Sequence, residues 1–185
     1  MATDLEIFGP IEIPFIKGAK STKHIGNDEV KQFWSLAEAK KIADKQGCYV
    51  FALKAAQGFR PWYIGKATKT MKQECLHHHK LAHYNKVLFT GNKGTPVMFF
   101  VVLPGTKKKV SKTVIDEMET FFIQTVLSKH PDIQNIQKTN LPTWTVKSVV
   151  RGGKGKPKQN ASQFRKMIGL PSSAKKKTKK KKPGN

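Results

Sequence analysis

Two apolar runs on either side of a polar break constrain the fold of this chain more than any other feature. The break is Gln57-Gly58, and both runs are rich in β-branched and aromatic residues. This pattern predicts a β-hairpin over about residues 48–64. Each strand carries a tyrosine near a glycine, so Tyr49 and Tyr63 are predicted to lie near each other on one sheet face. Gly65, which has no Cβ, would let a ligand approach the backbone there.

Other segments carry helix or strand patterns. Ser35 and Glu38 have the spacing of a capping box, and Gly47 stands where a C-cap glycine is expected. The run over 96–103 is typical of a strand buried on both faces. The predicted elements are an edge strand over 11–15, helices over 35–46, 71–84, 112–129 and 160–168, and strands over 96–103 and 144–150. The pattern favours an α/β (α+β) fold with helices flanking a small, mostly antiparallel, three-stranded central sheet.

Composition shifts divide the chain into four predicted segments. Residues 1–46 form an N-terminal extension with a helix that packs on the core, and residues 47–140 form the core. Residues 141–170 contribute a strand and a helix. Residues 171–185 are rich in lysine and nearly free of apolar residues, so they are predicted to be a disordered tail.

The charge of the chain is strongly positive and unevenly placed. The formal net charge is +23, and 13 of the 35 basic residues lie in 151–185, which has no acidic residue. Such a balance favours a polyanionic partner, nucleic acid above all, although a soluble protein with a basic tail also fits it. The basic residues predicted to contact DNA are Lys69, Lys72, Arg151, Lys154, Lys156 and Lys158.

The rest of the composition indicates where in the cell the protein is located. No apolar run approaches the ~20 residues of a membrane span, so no membrane partner is expected. The N-terminus lacks a basic, apolar leader, and two cysteines give no disulfide framework. The expectation is a cytoplasmic protein, nucleoid-associated in a bacterium and nuclear only in a eukaryote.

Two short motifs in the hairpin resemble those of the GIY-YIG endonuclease family. Gly47-Cys48-Tyr49 corresponds to G-I-Y with cysteine for isoleucine, and Tyr63-Ile64-Gly65 matches Y-I-G. The family places a glutamate on the helix after the third strand, where this chain has Glu119. A proline, a gap and an asparagine often follow, and here Pro131 precedes Asn135. The resemblance covers the core segment of the chain.

The resemblance implies a stand-alone endonuclease that hydrolyses DNA phosphodiester bonds with one Mg²⁺ or Mn²⁺ ion held by Glu119. Nearby cations would lower the pKa of Tyr49, which would then take a proton from the attacking water. Tyr63 and Tyr84 would position water or phosphate, and two lysines would add fixed positive charge. The catalytic residues implied are Tyr49, Tyr63, Lys66, Lys80, Tyr84 and Glu119.

The chain departs from the family at one position. The family carries an arginine on its first helix, and this chain has none there. Lys80 followed by Tyr84 reproduces a cation and a phenol at i+4, whereas Gln73 and His77 keep the usual distance from the second motif. On one continuous helix these four side chains would share a face. Lys80 is the predicted cation, with Gln73, His77 and Asn135 as alternates; a lysine lacks the bidentate fork of arginine.

Other interpretations remain open on the sequence alone. The same fold can serve as a non-catalytic nucleic-acid-binding protein, in which the tyrosines are ordinary strand aromatics and Glu119 lies on a solvated face. A zinc-binding regulator is a third interpretation, because Cys75, His79 and His83 recur at helical spacing. His24 or His130 would supply its fourth ligand.

Overall fold

The computed structural model describes residues 4–56, 58–105, 109–135, 137–139 and 159–167. They belong to two compact units, residues 1–140 and 141–185. Within these ranges no helix has the length and apolar character needed to cross a membrane. The predicted strand over 144–150, the predicted tail, and the basic residues Arg151, Lys154, Lys156 and Lys158 lie outside the described residues.

The first unit is a mixed α/β assembly, and the second contributes one described helix that confirms the prediction over 160–168. The strands are β1 (Glu6–Glu12), β2 (Ile16–Lys17), β3 (Lys23–His24), β4 (Gly47–Ala55), β5 (Gly58–Ala67) and β6 (Thr95–Val102). The helices are α1 (Asn27–Ser35), α2 (Ala37–Lys40), α3 (Met71–Glu74), α4 (His78–Phe89), α5 (Lys112–Leu127) and α6 (Gln159–Met167).

The predicted hairpin is confirmed, and it forms one side of the main sheet. β4 pairs with β5, and Tyr49 lies opposite Gly65 while Phe51 lies opposite Tyr63. The strand order is β1-β6-β4-β5, with every pair antiparallel. Strand β6 and helix α5 also match their predictions. The sheet brings the two tyrosine motifs together on adjacent strands.

The main sheet has four strands, so the prediction of three was wrong. The fourth is β1, which pairs with β6 and begins earlier than the edge strand predicted over 11–15. Gly9-Pro10 interrupts β1, and a proline argues against a regular strand because it cannot donate to the ladder. The pairing register shifts between Phe8 and Ile11, which accommodates the proline at an edge.

Apolar side chains fill both faces of the sheet. One face carries Tyr49 and Phe51, which cluster with residues of α1 and α4 such as Phe33 and Tyr84. The other face packs against α5. The buried residues on that side are Cys48, Ile64, Val110, Ile115, Ile123 and Ile133. Alternation along β4 therefore decides which hairpin side chains meet α4 and which meet α5.

The helix predicted over 35–46 was misplaced. Helix α1 starts at Asn27, and the Gly26 amide donates to the Glu29 carboxylate at 3.0 Å, which satisfies the backbone at its N-terminus. Ser35 is the last residue of α1, so it does not cap a following helix. α2 is a single turn. Gly47 begins β4 with φ +149°, and a Cβ there would lie 2.1 Å from the Val101 carbonyl oxygen.

The helix predicted over 71–84 is broken into α3 and α4. His77 caps α4 with an extended backbone, φ −67° and ψ 152°. Met71 in α3 and Leu81 and Tyr84 in α4 are all buried. In one straight helix Met71 would point to a different side from the other two, because each residue adds about 100°. The break lets both apolar faces reach the same core.

Candidate functional site

A polar cleft of about 350 Å³ collects most of the predicted catalytic residues. Residues of β5, α3, α4 and α5 line it, together with Asn135, Gln137 and Lys138. Its lining residues are Tyr63, Lys66, Glu74, Lys80, His83, Glu119, Ile123, Asn135, Gln137 and Lys138. Four of the six predicted catalytic residues therefore share one cleft.

Tyr63 and Lys80 form a direct pair in this cleft. The Lys80 ammonium donates a hydrogen bond to the Tyr63 hydroxyl oxygen at 2.7 Å. One turn further along α4, the His83 ring stacks on the Tyr63 ring with centroids 5.3 Å apart. β5 positions the Tyr63 phenol, and α4 places both the Lys80 ammonium and the His83 imidazole in contact with it. The predicted pairing of a cation with a phenol exists, but the phenol is Tyr63 rather than Tyr84.

Glu119 faces the cleft within a network of two carboxylates and two lysines. Its Oε2 atom lies 2.9 Å from the Lys138 ammonium and 3.4 Å from that of Lys66. Asp116, one turn earlier on α5, pairs with the same lysines, at 2.7 Å for Lys138. The Glu119 side chain is 13% exposed and that of Asp116 is 52% exposed. Glu119 is therefore the carboxylate held inside the cleft, and Asp116 lies at its rim.

The network shifts the pKa values of Asp116 and Lys66. Hydrogen bonds from Lys138 and Lys66 lower the pKa of Asp116 to about 2. The hydrogen bond to Asp116 raises the pKa of Lys66 above its ordinary value. Both groups therefore keep their charges across the neutral range. Lys138 was not predicted from the sequence, and its φ of +60° places it in a loop conformation that no periodic pattern indicates.

Asn135 closes the cleft by binding the exposed edge of β5. Its side-chain amide donates to the Ile64 carbonyl at 2.7 Å, and its Oδ1 atom accepts from the Ile64 amide at 3.0 Å. The side chain thus pairs with the strand as a neighbouring backbone would. Asn135 lines the cleft, but both of its polar groups hold the loop in place.

Tyr84 lies in the core and not in the cleft. It is fully buried, and its ring stacks on Phe51 with centroids 4.4 Å apart. Its hydroxyl donates to the Cys75 carbonyl at 2.8 Å. That carbonyl lies at the break between α3 and α4, where helical bonding stops. The predicted role of Tyr84 in holding water or phosphate is therefore wrong, since the hydroxyl stabilises the break.

Tyr49 is also fully buried, and it does not line the cleft. Its ring lies over Gly65, where a Cβ would come within 2.3 Å of the Tyr49 Cζ atom. Burial raises the pKa of Tyr49, opposite to the predicted lowering. By distance and angle its hydroxyl makes no hydrogen bond among the described residues. Gly65 accommodates a ring and not a ligand.

The two buried phenols are expected to respond differently to loss of their hydroxyls. Tyr84→Phe removes a buried hydrogen bond and should lower the free energy of unfolding by about 1–2 kcal/mol. Tyr49→Phe removes an unpaired hydroxyl, so the free energy of unfolding should stay the same or rise by up to about 1 kcal/mol. Urea denaturation of both variants measures the difference. Equal losses in the two variants would show that the Tyr49 hydroxyl has a partner.

A second cavity of about 480 Å³ adjoins the cleft and shares Glu74 and Lys80 with it. The alternates Gln73 and His77 line this cavity together with Lys80, but they do not line the cleft. Its other lining residues are Lys69 and His79. Lys72 is exposed on α3. The Glu74 carboxylate accepts from the Lys69 amide at 2.5 Å and so holds the turn after β5.

The predicted zinc set does not assemble. Cys75 is fully buried, and burial raises the pKa of its thiol. Cys75 also precedes the helix break, so it does not share a face with His79 and His83. In the part of the chain that the structure describes, these three residues do not form a group of converging ligand atoms.

No protein-family model matches this chain, and neither a curated protein nor a solved structure is significantly similar to it. The resemblance to the GIY-YIG endonucleases stays a prediction.

Proposed function

We propose that this protein is a metal-dependent endonuclease that hydrolyses phosphodiester bonds of DNA in the polar cleft. One observation carries the proposal: the Tyr63–Lys80 pair and the Glu119 carboxylate line the same cleft, beside two further lysines. A phosphodiester brings negative charge that these cations would stabilise. The net charge of +23 favours a polyanionic substrate.

The donor set fits one divalent cation of the Mg²⁺ type. Mg²⁺ is often bound by one or two carboxylates, with water and substrate phosphate completing its shell. Glu119 supplies such a carboxylate, and both lysines contact its Oε2 atom. Glu119 would hold the ion, which when bound would supply Lewis-acid stabilisation of the developing charge.

The protein groups have distinct roles in this proposal. Because Lys80 donates to the Tyr63 oxygen, the hydroxyl proton of Tyr63 is directed to another acceptor, such as a phosphate oxygen. Lys66 adds positive charge beside it. In the reaction, water adds to phosphorus and the bond to one sugar oxygen breaks. The products are a phosphate monoester end and a hydroxyl end.

His83 is the proposed general base, in place of the buried Tyr49. Partial burial, together with the charges of Lys80 and Lys86, lowers the pKa of His83 below its ordinary value. The imidazole is therefore neutral at pH 7 and can accept the proton of the attacking water. It lines the cleft and stacks on Tyr63, which fixes its plane.

Replacement of His83 is expected to change the pH dependence of cleavage. The wild-type cleavage rate should stay constant near neutral pH. It should fall as the pH drops through the pKa of His83, because protonation of the imidazole removes the general base. His83→Gln should be about 100-fold slower and should lack this acid limb. Single-turnover rates between pH 5 and 8 measure both effects. His130→Gln, which alters a histidine outside the cleft, is the control; an unchanged acid limb in His83→Gln contradicts the assignment.

Lys138 is expected to compete with the metal ion for Glu119. Lys138→Met removes one ammonium from the Glu119 carboxylate, so Mn²⁺ affinity should rise about two- to fivefold, the range of a partly exposed ion pair. Calorimetric titration without DNA measures the affinity directly. Lys69→Met, which removes a lysine from the adjoining cavity, is the control. Weaker Mn²⁺ binding by Lys138→Met would mean that this lysine does not occupy the ion's position.

A non-catalytic nucleic-acid-binding protein is the second candidate. The pairing of Glu119 with two lysines favours it, since the carboxylate already has cationic partners. The two functions differ in one experiment, in which labelled duplex, single-stranded and branched DNA are incubated with the full chain in Mg²⁺, Mn²⁺ or EDTA. Cleavage that requires the ion supports the nuclease, whereas binding in EDTA without cleavage under any condition supports the binding protein.

A further inference from the structure

Three consecutive histidines converge at the start of α4. His77, His78 and His79 are all exposed, and one ligand atom from each lies within 4.8 Å of the others. Their ring centroids are 4.0 Å apart for His77 and His78, and 3.8 Å for His78 and His79. The first and third rings lie 5.4 Å apart. The three imidazoles thus face one small region of the surface.

The break between α3 and α4 makes this convergence possible. Side chains at i and i+2 of a regular helix lie about 200° apart, so His77 and His79 would not meet within one continuous helix. His77 lies outside the helix with extended backbone, and α4 begins at His78. The imidazole of His77 can therefore fold back towards the other two. The continuous helix predicted from the sequence would not form this cluster.

We propose that His77, His78 and His79 bind a divalent transition metal ion such as Zn²⁺, Ni²⁺ or Cu²⁺ through their imidazole nitrogens. Imidazole suits these ions, whereas Mg²⁺ and Ca²⁺ prefer oxygen ligands. The site differs in ligand chemistry from the carboxylate of Glu119, and it does not depend on the proposed nuclease activity. Three imidazoles leave a coordination position for water or an added ligand.

The surroundings set the balance of charge at this site. Lys69 and Lys80 line the cavity that His77 and His79 also line, and their charges oppose a cation. The Glu74 carboxylate lines the same cavity and offsets part of that charge. A reversible site of moderate affinity is the expected result.

The test uses the untagged full chain and Zn²⁺ in a calorimetric titration at neutral pH. We expect one Zn²⁺ per chain, and at least about tenfold weaker binding in each of His77→Ala, His78→Ala and His79→Ala. These side chains are exposed, so the variants should fold, and circular dichroism checks that they do. His83→Ala and His130→Ala remove histidines outside the cluster and should leave the Zn²⁺ affinity unchanged.

Co²⁺ spectroscopy distinguishes the cluster from a site that uses Cys75. Imidazole ligation gives d–d absorption without a thiolate charge-transfer band, and Cys75→Ser should leave the spectrum unchanged. The proposal is overturned if the wild-type chain binds no Zn²⁺, if the three cluster variants bind it as tightly as the wild type, or if the thiolate band appears and Cys75→Ser removes it.

Discussion

Gly65→Ala is expected to destabilise the protein by about 3 kcal/mol or more, the upper range for overpacking of a core. The added Cβ would lie 2.3 Å from Cζ and 2.4 Å from Oη of Tyr49. Because the Tyr49 ring is fully buried, it has no open space into which it can move. The glycine of the second motif is thus required for packing across the hairpin.

Two comparisons test whether the contact between the added Cβ and the Tyr49 ring causes the destabilisation. Gly18→Ala places its Cβ against the Thr22 side-chain hydroxyl, which can turn away by giving up one hydrogen bond to the Ala19 carbonyl, so its cost should stay below about 1.5 kcal/mol. In a Tyr49→Leu background, which lacks the outer ring atoms, Gly65→Ala should lose most of its penalty. Urea denaturation gives both values. A full penalty in the Tyr49→Leu background would show that another contact causes the destabilisation.

The hairpin and the long helix α5 could be predicted because local patterns decide them. β4 and β5 are apolar runs on either side of a turn, and α5 keeps a helical apolar period over 16 residues. The extent of the fourth strand could not be predicted by the same rules, since the proline in β1 counts against a strand and only its end overlaps the edge strand predicted over 11–15. Only the pairing with β6, which is distant in sequence, shows where that strand lies.

The break before α4 was open to prediction but was missed. The segment contains no glycine or proline at the break. Rules based on turn-forming residues therefore predict one continuous helix. The phase of the apolar residues does mark it, because Met71 and Cys75 are out of step with Leu81, Tyr84 and Leu88 on a 3.6-residue period. The error mattered for the site, since it kept Gln73 and His77 as alternates to Lys80, and they line the adjoining cavity and not the cleft.

The motifs located the cleft better than they assigned its chemistry. Tyr63, Lys66, Lys80 and Glu119 were predicted and share the cleft. Residue type does not reveal the burial of a strand tyrosine, so Tyr49 was assigned a role that its position does not support. Lys138 and His83 could not be placed in the cleft from local sequence. The residues that they contact there, Glu119 and Tyr63, are distant from them in the chain.

Glu119→Gln is expected to slow DNA cleavage at least about 100-fold, because it removes the carboxylate that would hold the metal ion and leaves a neutral amide of the same shape. DNA binding should persist or strengthen, since a negative charge is lost from a cleft with three lysines. Glu117→Gln is the matched control. Glu117 is exposed two residues earlier on α5, and its variant should cleave within about twofold of the wild-type rate.

Single-turnover nicking of supercoiled plasmid in Mg²⁺ or Mn²⁺ is the measurement that tests the cleft as a nuclease site most directly. The wild type and Glu117→Gln should nick the plasmid and stop when EDTA is added, while Glu119→Gln binds the same DNA but nicks it at least about 100-fold more slowly. Nicking by Glu119→Gln at the wild-type rate, or no nicking by the wild type with any divalent ion, would contradict the proposed site.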